Sequence, residues 1–187
     1  PFLQTMYANS CLPAHLFLKS YSALSTDCAC LCGGSSITFS NIIGRLEDAA
    51  FASPALTDVF LRGNSITGTI PRALLSHPSL VSLRLDEPLI RGVLPEEMSN
   101  MVNLKKLRLS TRVEGTIPRS IGQLLNLTEL YLESPQLSGT IPTELGNLKS
   151  LQTMTIFADL IRGPIPASIG DLSSLECMVL NIADVGY

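Results

Sequence analysis

Residues 127–151 read LTELYLESPQLSGTIPTELGNLKSL. Leu127, Leu130 and Leu132 begin this stretch, Leu137-x-Gly139-x-Ile141-Pro142 forms its middle, Leu145 and Leu148 follow, and Leu151 starts the pattern again. Working outward in both directions, the same block recurs. Gly68, Gly92, Gly115, Gly139 and Gly163 lie 24, 23, 24 and 24 residues apart, each followed by an aliphatic-proline pair: Ile70-Pro71, Leu94-Pro95, Ile117-Pro118, Ile141-Pro142 and Ile165-Pro166. Gly44-Arg45-Leu46 stands one period upstream without the proline, and a further unit opens at Leu175. A fixed period of this length marks a chain built of stacked units, so the repeat has to be read before anything else.

Each part of the unit has a mechanical role. Leu83-Arg84-Leu85, Leu107-Arg108-Leu109 and Leu130-Tyr131-Leu132 alternate with period two, which predicts short strands with leucines inward and the middle residue outward. The glycine allows a backbone conformation closed to other residues, and the proline stops strand and helix alike. Apolar residues three apart, Leu145 and Leu148 or Ile169 and Leu172, suit a helical or 3-10 turn on the far side. One unit exposes its aliphatic residues at both ends, so it is stable only with neighbours.

The unit resembles the coil of the plant-type leucine-rich-repeat family, LxxLxLxxNxLxGxIPxxLGxLxxL, over Leu56 to about Val185. The resemblance implies an α/β fold: a right-handed leucine-rich-repeat solenoid with a curved, parallel concave sheet, a convex side of 3-10 and short helical turns, and an N-terminal helical cap. It divides the chain into a cysteine-containing cap with a degenerate leading coil over residues 1–46 and an array of about six coils over residues 47–187, the last incomplete. Family members include receptor-kinase ectodomains, co-receptors and polygalacturonase-inhibitor-like proteins, so the implied work is binding of a protein or peptide rather than catalysis.

Two regions depart from that pattern. The segment LPAHLFLKSYSALSTDCACLC, residues 12–32, is similar to the family's cap, although the chain has no tryptophan and its cysteines are unusually spaced. Cys11, Cys28, Cys30 and Cys32 are the disulfide candidates; a bridge from Cys11 to one of the cluster is favoured over zinc, whose paired cysteine ligands are usually separated by two to four residues. Within the array, the family's ladder asparagine survives only as Asn64, with Pro88, Pro135, Asp159 and Ala183 at the other positions. The third coil is one residue short between Leu109 and Val113, which predicts an irregular turn whose buried backbone groups find water or neighbouring carbonyls.

Composition excludes several classes of function. A net charge of -3 gives no general attraction for nucleic acid or an anionic membrane, and no apolar run is long enough to span a bilayer. His15 and His77 are the only histidines and have no nucleophile arrangement, and no phosphate-binding loop is present, so neither an enzyme nor a cofactor is expected. The chain opens Pro1-Phe2-Leu3, as expected after removal of a leader or tag, or in a piece of a longer chain. The sequon Asn126-Leu127-Thr128 makes Asn126 a glycosylation candidate and, with the cysteines, favours a secreted, extracellular or lumenal location, membrane-attached only if the native chain extends past residue 187.

Alternation places Phe60, Arg84, Arg108 and Tyr131 side by side on neighbouring strands, with Phe157 in an adjacent row. This aromatic and basic strip has the composition of interface anchors and is the candidate site for a protein or peptide partner. Arg84 beside Arg108 is a like-charge pair that an acidic partner would relieve, unless Asp86, Lys106, Glu129 and Glu133 already balance the face. Leu175, Met178 and Leu180 are expected at an open edge covered by a partner subunit, a second copy or a continuation of the chain. Two alternatives stand beside recognition: a structural scaffold subunit packed through that edge, and an inhibitor of a secreted hydrolase.

Overall fold

The computed structural model describes residues 36–39, 43–46, 48–51 and 53–184. The proposed helical cap and Cys11, Cys28, Cys30 and Cys32 lie outside the described residues. Among the described residues twelve strands, numbered in chain order, form two sets of parallel ladders. The main sheet runs β1 (Ser36–Phe39), β3 (Asp58–Arg62), β5 (Ser82–Asp86), β7 (Lys106–Ser110), β9 (Glu129–Glu133), β11 (Thr153–Arg162) and β12 (Cys177–Asp184). On a second side lie β2 (Ile43–Arg45), β4 (Ser65–Thr69) and β6 (Ile90–Arg91), then β8 (Gly115–Thr116) and β10 (Leu137–Gly139), which pairs with the far end of β11.

Register follows from the repeat. Leu83 lies opposite Leu107, and Leu107 opposite Leu130, in parallel strands. Their side chains are buried and belong to one continuous core running from Phe51 to Leu172. The alternation read from the sequence is therefore the alternation of the sheet, since β5 and β9 both bury their second and fourth residues and leave the rest half-exposed.

The turns obey the glycine-proline rule. Gly68, Gly92, Gly115, Gly139 and Gly163 have φ between 80 and 106°, a region that other residues rarely enter. Each following proline holds an extended backbone and launches a short turn: the helix α1 (Arg72–Leu75), then 3-10 turns at Glu96–Asn100, Arg119–Gln123, Thr143–Asn147 and Ala167–Asp171. These turns also touch coil to coil. Glu96 Oε2 accepts a hydrogen bond from the Ser120 backbone N–H at 2.9 Å, and this amide, more than any other group, lowers the Glu96 carboxyl below the usual carboxylate range.

The missing residue of the third coil leaves its mark on the second side, where the ladder narrows to a single bridge between Val93 and Glu114. Arg112 N–H still reaches the Ile90 carbonyl at 2.9 Å, and Glu114 N–H the Gly92 carbonyl at 2.7 Å. Backbone groups also take over the work of the lost asparagines. Glu87, Thr111 and Ser134 donate their N–H groups to the carbonyls of Ser110, Glu133 and Phe157 in the next coil, at 2.9, 3.0 and 2.9 Å. Polar side chains finish the row from one position earlier than the family pattern places them. Glu87 is fully buried and its Oε1 accepts from Asn64 N at 3.2 Å and Nδ2 at 2.7 Å, while the Ser134 hydroxyl donates to the Val113 carbonyl at 2.6 Å.

Close approach of neighbouring 3-10 turns explains another glycine. A Cβ on Gly146 would lie 2.3 Å from the Ser168 carbonyl oxygen, so Ala there must push two coils apart. Gly170, one period on, has nothing within 4 Å among the described residues. Gly146→Ala is expected to cost about 1 to 3 kcal/mol in chemical denaturation, as an overpacked core does, whereas Gly170→Ala stays within about 0.5 kcal/mol. Equal effects would show that the coils are not packed turn against turn.

Candidate functional site

The outward residues of the main sheet form three rows fixed by strand register. The middle row is Phe60, Arg84, Arg108, Tyr131, Thr155 and Val179. One row beside it holds Asp58, Ser82, Lys106, Glu129, Thr153 and Cys177, and the other Arg62, Asp86, Ser110, Glu133, Phe157 and Asn181. All five candidate residues thus share one face: Phe60, Arg84, Arg108 and Tyr131 stand in consecutive strands, and Phe157 neighbours Tyr131 from the next row.

Arg108 and Tyr131 are the centre of this face. The Arg108 guanidinium carbon stands 3.9 Å from the Tyr131 ring centroid, and Tyr131 meets Phe157 edge-on with centroids 5.9 Å apart and planes at 75°. A cation over an aromatic face is attracted by the ring quadrupole, and the edge-on pair matches the positive rim of one ring to the negative face of the other. The Tyr131 hydroxyl donates to Glu133 Oε2 at 2.8 Å, the same oxygen that accepts from the Ser110 hydroxyl at 2.8 Å. Partial burial first, and the Glu133 carboxylate second, raise the Tyr131 phenol above its ordinary range. For Arg108, burial opposes the charge, but the hydrogen bond and charge of Asp86 outweigh it and leave the guanidinium more strongly protonated than usual.

Arg84 and Arg108 do not stand as an unrelieved like-charge pair. Arg108 Nε donates to Asp86 Oδ1 at 2.9 Å, and Arg84 reaches Glu129 at 3.8 Å. Asp86 also faces Arg62 at 4.0 Å, and Glu129 faces Lys106 at 3.4 Å. The balancing role of Asp86, Lys106 and Glu129 was visible as a possibility in the alternating charges. The Tyr131–Glu133–Ser110 link was not, because it depends on reach between strands.

Asn126 and His77 fall away from this face, whereas Cys177 ends one of its rows. Asn126 is exposed, but its Nδ2 donates to the Val102 carbonyl at 2.8 Å, as Asn103 one coil earlier does to Pro78 at 2.9 Å, so both amides tie neighbouring coils together. His77 is buried with Nε2 3.0 Å from the Ser53 carbonyl oxygen. Cys177 is an exposed free thiol on the last strand. Among the described residues, no group of three His, Cys, Asp or Glu side chains is arranged to hold a metal, and no helix is long and apolar enough to cross a membrane. On β12, Met178 is 43% exposed, whereas the equivalent Met154 is fully buried, so the last strand lacks the cover the inner ones have.

Stacked parallel strands, glycine-proline corners and convex 3-10 turns make this chain a leucine-rich-repeat solenoid. The Leucine Rich Repeat family model matches residues 126–148, and the solved structures the chain is similar to include plant receptor-kinase ectodomains, so its repeats resemble the plant type. The ectodomain of the Arabidopsis thaliana membrane receptor kinase GASSHO1/SCHENGEN3, in complex with CASPARIAN STRIP INTEGRITY FACTOR 2, is 34% identical with a TM-score of 0.74 over 80% of this chain and 18% of that one. The Arabidopsis receptor kinase HAESA ectodomain, in complex with an N-terminally extended IDA peptide hormone, is 30% identical with a TM-score of 0.69 over 79% of this chain and 24% of that one. A Pollen Receptor Kinase 3 structure is 27% identical with a TM-score of 0.68, covering 80% of this chain and 73% of that one. The chain therefore spans less than a quarter of the length of the first two. No curated protein matches it significantly.

The contact between Arg108 and Tyr131 is measurable in isolation. A double-mutant cycle of Arg108→Ala and Tyr131→Ala in urea denaturation is expected to give a coupling of about 0.5 to 1 kcal/mol, the usual worth of a partly exposed cation–aromatic pair. Strict additivity would mean that the two side chains do not meet.

Proposed function

We propose that the chain is a non-catalytic recognition module, working outside the cell or in a lumenal compartment, that binds a protein or peptide on the concave face of its main sheet. Phe60, Arg84, Arg108, Tyr131 and Phe157 are the partner-binding residues. One observation carries this reading: the Arg108–Tyr131–Phe157 assembly is half-exposed yet locked in place, by Asp86 on one side and Glu133 on the other. Side chains already fixed lose little conformational freedom when a partner arrives, and large aromatic and arginine side chains are the usual hot spots of interfaces. Similarity to receptor ectodomains that hold peptide ligands supports the same class of partner and an extracellular setting.

Exposure of Met178, whose counterpart Met154 is buried, favours a second reading, in which the module is also a scaffold subunit that packs through the edge at β12 against another surface. The two readings differ in the residues they need. With the chain immobilised and partners captured from its native source, Tyr131→Ala is expected to weaken the retained partner by about 2 kcal/mol, as hot-spot truncations do, while Glu97→Ala on the convex side leaves affinity unchanged. A partner indifferent to Tyr131→Ala but lost with Met178→Asp would replace the concave-face reading with the scaffold.

A further inference from the structure

The ion pairs of the main sheet do not distribute evenly. Arg62, Arg84, Lys106 and Arg108 are served by two carboxylates, with Asp86 facing Arg108 and Arg62 and Glu129 facing Lys106 and Arg84. The remaining acids are turned to hydroxyls: Glu133 to Tyr131 and Ser110, and Asp58 to the Thr57 hydroxyl at 2.7 Å. Within each sharing pair, one cation is held at a distance. Arg62 and Arg84 have the longest contacts, 4.0 and 3.8 Å, and their side chains are 72% and 36% exposed. Arg108, by contrast, is committed to Asp86 at 2.9 Å and to the Tyr131 ring. Register puts Arg84 level with Phe60, so Arg62 is its diagonal neighbour, within reach of long side chains at roughly 7 to 8 Å.

Toward the C-terminal end, the chemistry changes. In the three outward rows, β11 and β12 contribute Thr153, Thr155, Phe157, Cys177, Val179 and Asn181, with no charge among them, and they border the Tyr131–Phe157 edge; the charged Asp159 and Arg162 of β11 lie beyond these rows. One face therefore offers two under-neutralised guanidiniums at one end and an uncharged, aromatic-edged surface at the other. Arg84 is two strands from Tyr131 and three from Phe157, which at ~4.8 Å per strand is roughly 10 to 14 Å. An extended chain advances ~3.3 Å per residue, so that span corresponds to about three or four residues.

From this complementarity we infer that the partner presents an extended segment crossing the strands, with an acidic side chain over Arg84 and Arg62 and an apolar or aromatic side chain three or four residues away over Tyr131 and Phe157. The inference rests on the proposed use of the concave face and adds the chemistry and spacing of what binds there. The incoming carboxylate replaces the two weakest contacts of the face, while Arg108 stays in place as the residue that positions Tyr131.

The test uses the full chain and fluorescent Gly/Ser peptides carrying one Asp and one Phe, read by anisotropy at fixed salt. Peptides with the two residues three or four positions apart should bind about tenfold tighter than those with the pair adjacent or at twice that offset, and than those with Lys in place of Asp, as one partly desolvated charge pair allows. Arg84→Glu should reverse the preference from Asp to Lys, with circular dichroism confirming that the variant is folded. The inference is overturned by no binding of any of these peptides, by affinity independent of offset, or by an Arg84→Glu variant that keeps its preference for Asp. A captured native partner that still depends on Tyr131 while the peptides show no acid preference would sink this inference alone; a partner indifferent to Tyr131 would sink the concave-face reading with it.

Discussion

Every coil of this chain has to be covered by the next. Leu83, Leu107 and Leu130 are buried because the strand on each side places an apolar residue at the same height, from Val59 to Met154, and neither end of a lone coil offers such a surface. In-register stacking therefore dictates the positions of all else. Glycine corners keep the return path tight enough for the stack, and Gly146 lets the 3-10 turn of the next coil approach to within a carbonyl's width. The same constraint explains the exposed Met178 on the last strand, which has one strand beside it where inner strands have two.

What stacks the core also sorts the surface. Because inward leucines alternate with outward residues, a register that aligns leucines necessarily aligns Phe60, Arg84, Arg108 and Tyr131 between them. Ladders of charge follow, and pairs such as Arg108 with Asp86 form between strands rather than along them. Exposed ion pairs of this kind contribute little to stability, so their consequence lies in geometry: they fix the direction in which Arg108 and Tyr131 point. A rigid, half-buried aromatic and cationic face over a stacked core is the surface on which the proposed recognition rests.

Much of this was legible in the sequence, because a solenoid writes its structure in a period. The strands, the corners, the convex turns and the rows of outward residues all follow from leucine, glycine and proline spacing. Less legible was the fate of polar residues at the strand exits. Glu87 reads as a surface residue, since isolated carboxylates are rarely buried, yet it turns inward to accept both donors of Asn64. Thr111 and Ser134, one and two coils on, are buried polar residues of the same row, and after Glu87 and Ser134 a proline, Pro88 or Pro135, stands where the family pattern has asparagine. Asn126 was likewise readable as a sequon but not as a tie to Val102, because that bond depends on the neighbouring coil's carbonyl rather than on local sequence.

The claim on which all of this depends is that consecutive coils stand side by side as in-register parallel strands. Methyl-resolved nuclear Overhauser spectroscopy on selectively labelled leucines measures it directly. The structure requires cross-peaks from Leu107 to both Leu83 and Leu130, one strand spacing of ~4.8 Å away on either side, and a far weaker one between Leu83 and Leu130 at twice that distance. Strong direct contact between Leu83 and Leu130, or a Leu107 that touches only one of them, would contradict the stacked solenoid and with it the face built on its strands.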